Sequence, residues 1–160
     1  MLNYQSWLES ANTVRMCLVQ AQALVSGTLV TKYLSTHSAT VDDIDYLPII
    51  SGGITIDENI SLNYSASISY GDIEIVNSNG EYDGWLDYIW VNKSIKIYIG
   101  SVPQPGTVAS ISDFELIFDG IVSDIDSKSR NRLNLKIRDK LEKLNTSISD
   151  VLQATTFMVV

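Results

Sequence analysis

Chemistry in this chain would have to be carried by few groups. His37 is the only histidine and Cys17 the only cysteine among 160 residues, so a Cys-His or Ser-His-Asp arrangement would have to recruit them. His37 lies in the polar run Ser35-Thr36-His37-Ser38, far along the chain from Cys17, and no pattern supplies a group to orient the base. One Cys and one His cannot complete a zinc site that takes four N or S ligands. Asp42, Asp43 and Asp45, with Asp57 and Glu58, are oxygen donors for a hard cation, yet the alternating acidic spacing ending in a glutamate is missing. Asn77-Ser78-Asn79-Gly80 echoes a calcium loop but reads as a turn. Asp83 and Asp87 sit one helical turn apart and read as solvent-facing carboxylates rather than a glycosidase pair. Ser51-Gly52-Gly53-Ile54 lacks the lysine and helix of a phosphate loop. The expectation is therefore no catalytic residue, no metal and no cofactor.

Composition narrows the partners. Eleven basic against nineteen acidic residues give a net charge of -8, which opposes phosphate binding and excludes a stable nucleic-acid role. The one basic cluster is Lys128, Arg130, Arg132, Lys136, Arg138, Lys140 and Lys143. It is interleaved with Leu133, Leu135 and Ile137 in strict alternation, so it reads as the polar face of a strand, solvated or turned to another subunit. Cys17, inside Val14-Arg15-Met16-Cys17-Leu18-Val19, reads as a small buried hydrophobe. No apolar run approaches the ~18 residues of a membrane span, and residues 1–4 have no signal-peptide character, so synthesis and assembly in a cytoplasm is the expectation.

The elements that would position these groups are mostly strands. Residues 3–10 carry Tyr4, Trp7 and Leu8 at helical spacing, an N-terminal arm or short helix within 1–12. Thr13–Leu24 and Thr28–Leu34, broken at Ser26-Gly27, form a β-hairpin pattern that the alanines and glutamines would also allow as helix. Tyr46 to Ile50 is extended, with Pro48 placing it at a sheet edge or outside the ladder. Ile54 to Ile56, the alternating run Ile60 to Ser69, Asp72 to Val76 and Lys93 to Ile99 read as strands. Between the last two, Asn79 and Gly80 supply a positive-φ turn. A short helix from Tyr82 to Trp90 follows, with Asp83 as its cap and Trp85, Leu86 and Ile89 plugging one end of the core.

Phe114 to Asp126 is long for one strand, and Gly120 inside it predicts a bulge or sharp bend of the kind that turns a barrel corner; Arg132 to Arg138 pairs with it. Residues 1–160 thus read as one mainly β domain, a small β-barrel or sandwich with one or two short helices. Tyr82, Trp85, Tyr88 and Trp90 read as core or subunit contact, and alternatively as a sugar-stacking platform. Residues 145–160 end in the apolar Phe157-Met158-Val159-Val160, a segment expected to dock on this domain or a neighbour. The partner-facing candidates are Trp7, Trp85, Trp90, Arg130, Arg132 and Phe157.

The order of segments Val14–Val19, Tyr33–Thr36, Tyr46–Ile50, Gly71–Asn77 running into Asn79–Asp83, Ile95–Gly100 and Leu116–Val122 resembles the small hub or tail-tip proteins of long-tailed bacteriophages. The likeness is one of strand and turn pattern from about Thr13 to Arg138. It implies a β-barrel of the tail-tube type, a homo-oligomeric ring that continues or closes the tail tube, and contacts with tube, distal-tail, tape-measure and fibre or tip proteins. It also implies a virion location and no enzymatic activity.

Overall fold

The computed structural model describes residues 9, 14–51, 54–57, 70–103 and 108–140. The N-terminal helix with Trp7, the alternating run 60–69 and the terminal segment with Phe157 lie outside the described residues. The described residues form nine strands: β1 (Arg15–Val25), β2 (Thr28–Ser35), β3 (Ala39–Val41), β4 (Ile44–Tyr46), β5 (Thr55–Asp57), β6 (Tyr70–Val76), β7 (Ser94–Ser101), β8 (Glu115–Ser129) and β9 (Arg132–Asp139). Seven form one antiparallel sheet in the order β2-β1-β7-β8-β9-β6-β5, and β3 pairs with β4 in a small second sheet.

The β1–β2 hairpin follows from its turn. Ser26 and Gly27 both adopt positive φ, 50° and 84°, which matches the right-handed twist of the flanking strands and fixes Val25 opposite Thr28. From that register Val19, Ala21 and Ala23 fall on one face and Met16 and Leu18 on the other. Both sets are fully buried because each face has its own core. The inner core gathers Val19, Ala21, Leu34, Ile73, Ile75, Ile95, Ile97, Val122, Leu133, Leu135 and Ile137. The outer one packs Met16 and Leu18 under β3–β4 with Val41, Tyr46, Ala109 and Phe114. Tyr46 anchors this cover: its ring meets Tyr33 edge-on at 5.3 Å, and its hydroxyl accepts a 2.7 Å bond from Gln20 Nε2. Burial pushes the Tyr46 phenol above its ordinary range.

The curled sheet is closed by a strap, not by a further regular strand. Leu47 bonds to β2 (Ser35 N to Leu47 O, 2.7 Å; Leu47 N to Tyr33 O, 3.0 Å), and Ile49 and Ser51 bond to β6 (Val76 N to Ile49 O, 2.7 Å; Ser51 N to Glu74 O, 2.9 Å). Pro48, which has no N–H, sits between these bonds, outside the regular ladder, as its chemistry requires. The strap thereby satisfies backbone groups on the β2 edge and on the part of β6 beyond its pairing with β5, and leaves Ile50 facing the inner core.

β8 is continuous over fifteen residues because register shifts near Ile117, Ser123 and Lys128 let it coil between β7 and β9. The expected bulge is thus present beside Gly120 and not at it. Gly120 itself pairs in register with Ile95 and Asp139.

Candidate functional site

The stretch between β6 and β7 organises one end of the barrel. β6 delivers Asn77 to a buried position, 1% exposed, where its backbone N–H donates to Asn131 O at 2.7 Å and so ties the end of β6 to the β8–β9 turn. Its side chain accepts from Tyr82 N at 2.7 Å and donates to Asp83 Oδ1 at 2.6 Å. One buried amide therefore fixes the whole following turn. Asn79 and Gly80 take the positive φ expected of them, 58° and 76°. The expected helix is two short 3₁₀ helices, Ser78–Gly80 and Asp83–Asp87, and the cap of the second is Tyr82, without a side-chain bond. Asp83 is engaged by Asn77 instead, so it anchors the turn and does not cap it.

Two tryptophans from this connection enter the barrel. Trp85 is 6% and Trp90 1% exposed; their rings lie 5.7 Å apart, and Trp90 Nε1 donates to Trp85 O at 2.7 Å. Tyr82 packs on Trp85 at 4.9 Å. Lys32, on the inward face of β2, places its ammonium 5.5 Å from the Trp85 ring and 5.4 Å from that of Tyr88. Leu86 and Ile89 point outward, 40% and 56% exposed, which corrects their expected place in the plug: the 3₁₀ turn ends at Asp87 and buries only Trp85, and the chain is extended from Tyr88, so Ile89 pairs with Leu24 while Trp90 turns inward. With both indoles inside, Trp85 and Trp90 offer no open stacking face on the described chain. Ile89 instead bridges Leu24, whose other neighbour is Leu29, and forms with them an outward apolar row at the hairpin end. Sequence reasoning missed this row, although Leu24 and Leu29 flank a two-residue turn and must oppose each other.

The described members of the basic cluster, Lys128 to Lys140, lie along β8 and β9 and the turns at their ends, and most are paired. Lys128 and Arg132 both hold Glu74, Lys136 lies 2.6 Å from Asp126 and 3.7 Å from Asp124, and Lys140 pairs with Asp119. Asp126 holds the Lys136 ammonium above its ordinary pKa. Arg130 has no acidic partner among the described residues. It stands exposed at the β8–β9 turn and, with Asn79, Gly80, Asp83 and Asn131, lines a cleft of about 560 Å³.

Glu74 carries a pH dependence. Its side chain is 16% exposed, and the Lys128 ammonium at 2.8 Å, then Ser51 Oγ and Arg132, hold its carboxyl below the usual range against the opposing effect of burial. A pKa lower in the folded than in the unfolded chain stabilises the fold above the ordinary carboxylate range, and that contribution is lost as pH falls through the lowered value. Urea titrations across the acid range are expected to show Glu74→Gln with a shallower acid loss of stability than the parent; parallel curves would refute the assignment.

The remaining candidates for chemistry do not converge. Thr36 Oγ1 accepts from Cys17 N at 3.1 Å and lies 3.0 Å from His37 Nδ1, so the two residues are nearer in space than in sequence. The Cys17 side chain is half-buried, less enclosed than its apolar run suggests, and burial pushes its thiol up, away from a thiolate. Asp42 accepts from Ile111 N at 3.0 Å and Asp45 from Thr40 Oγ1 at 2.6 Å, which are structural uses of the β3–β4 acids. Among the described residues no group of three or more His, Cys, Asp or Glu is placed to hold a metal, and no helix is long and apolar enough to cross a membrane.

No protein-family model matches the sequence, and no curated protein matches it. Among solved structures the fold is similar to that of a chain from a virion of a native gene transfer agent particle, with a TM-score of 0.61 and 14% identity, over 89% of this chain and 46% of that one. The present chain spans under half of that chain's length. At this identity the likeness is one of fold.

Proposed function

We propose that the chain is a structural virion protein of a phage tail tip or baseplate hub. In this reading copies assemble into a homo-oligomeric ring that continues or closes the tail tube and joins it to tube, distal-tail, tape-measure and fibre or tip proteins. Residues 1–160 act as one hub-like domain, with 1–12 as an N-terminal arm or short helix and 145–160 docked on the domain or on a neighbour. The observation that supports the reading is the strap-closed barrel, whose fold is similar over 89% of the chain to a component of a virion particle. Among the described residues, carboxylates hold lysines, an arginine and turn amides. Of the candidates for contact, Arg130 and Arg132 stand on the surface, and Trp85 and Trp90 act by holding the shape of the barrel end. The row of Leu29, Leu24 and Ile89 adds apolar area for a neighbour.

Electron microscopy of the purified chain, and of particles from cells expressing the neighbouring genes, tests the proposal. The expected result is a closed ring of fixed copy number, located at the tail end of the particle. A chain that remains monomeric at high concentration and is missing from purified particles would sink it.

A further inference from the structure

We infer that the cleft between the β6–β7 connection and the β8–β9 turn is a binding site for a neutral, hydroxyl-rich ligand, of which a saccharide unit is the chemical type. Its lining comes from two chain segments 47 positions apart at their nearest, Asp83 and Arg130, held together by the Asn77 N to Asn131 O bond. At about 560 Å³ it is within the size range of small-molecule sites. Among the described residues no apolar side chain lines it, so its recognition is mainly polar.

The polar groups are of complementary kinds. Asp83 is an acceptor whose Oδ1 is fixed by Asn77, while Oδ2 has no protein donor among the described residues. That oxygen lies over Gly80, where a Cβ would come within 2.6 Å of it, so the glycine leaves the carboxylate its place. Arg130 is a fork of N–H donors with no carboxylate of its own among the described residues, and Asn79 and Asn131 can each donate and accept. A charged ligand would be drawn to one of Asp83 and Arg130 and repelled by the other. A hydroxyl both donates and accepts, so adjacent hydroxyls can satisfy the carboxylate and the guanidinium together. This site differs from an aromatic platform: its specificity rests on hydrogen bonds, and no tryptophan is among its described lining residues.

The test is a two-dimensional amide NMR titration of the full chain with glucose, galactose, N-acetylglucosamine and, as a charged control, glucuronate. Binding of at least one neutral sugar should shift the signals of Asn79, Gly80, Asp83, Arg130 and Asn131 in a saturable manner. Arg130→Ala and Asp83→Asn should each weaken that binding by about tenfold or more. Arg130 has no acidic partner to lose among the described residues, and asparagine at 83 can still accept from Asn77, so both variants should keep the parent spectrum elsewhere. Saturable shifts confined to the cleft support the site. No shift at these residues with any neutral sugar, tighter binding of glucuronate than of the neutral sugars, or binding unchanged in both variants overturns it.

Discussion

Trp90→Ala should lower the unfolding free energy by about 3–5 kcal/mol, the range for removing a fully buried large aromatic. The residue is 1% exposed and lies between Trp85 and Tyr88, with ring centroids at 5.7 and 6.3 Å. Truncation would leave a void walled by the inner core on one side and the 3₁₀ turn on the other. The lost hydrogen bond adds little, because Trp85 O also accepts from Tyr88 N at 3.2 Å and is not orphaned. The cost is therefore mainly one of volume, and it is large against the ~5–15 kcal/mol that separates a typical domain from its unfolded state. Trp85→Ala, 6% exposed, should cost about 3 kcal/mol or more for the same reason. Leu86→Ser, on the outward side of the same turn, should stay within about 0.5 kcal/mol. Urea unfolding followed by fluorescence measures all three, and a loss below ~1 kcal/mol for Trp90→Ala would mean that the indole does not fill the barrel end.

How much of this was legible from the sequence depends on which interactions are local. The hairpin at Ser26-Gly27, the turn at Asn79-Gly80 and the pairing of β8 with β9 are written in period-two alternation and in residues that tolerate positive φ, so they could be read directly. The tryptophans were readable as a plug because two large aromatics in nine residues must be covered. Their neighbours were not: assigning Leu86 and Ile89 to the tryptophan face assumed one helix from Tyr82 to Trp90, whereas the winding stops at Asp87 and the chain is extended from Tyr88. The roles of Asn77 and Pro48 depend on distant partners, Asn131 for one and the edges of β2 and β6 for the other, and no local pattern encodes those. The polar cleft has the same origin. Arg130 and Asp83 have no sequence relation, and only the β6 to β9 register, with Val76 opposite Arg132, brings their turns together.

Gly120→Ala is expected to destabilise the fold by about 1–3 kcal/mol or somewhat more, through overpacking rather than backbone strain. A Cβ at this position would lie 2.4 Å from Arg138 O and 2.4 Å from Phe118 Cε1. Neither neighbour can yield cheaply. Arg138 pairs with Ile121 on one side and Tyr70 on the other, so moving its carbonyl disturbs two ladders. Phe118 is 8% exposed and opposes Ile97 on the inner face, so moving its ring opens the core. The two contacts can be separated by a double-mutant cycle. Phe118→Leu removes the ring that the new methyl meets, and the double variant Gly120→Ala with Phe118→Leu should lose less than the sum of the single losses. It should not return to the level of Phe118→Leu alone, since the clash with the Arg138 carbonyl persists. Gly84→Ala is the matched control: nothing lies within 4 Å of its Cβ position, so the same added methyl should be neutral or stabilise by up to about 1 kcal/mol. Strict additivity of Gly120→Ala and Phe118→Leu would remove the ring from the explanation. A neutral Gly120→Ala would show that β8 does not approach β9 and the Phe118 ring this closely, and with that the tight coiling of β8 on which the narrow barrel depends.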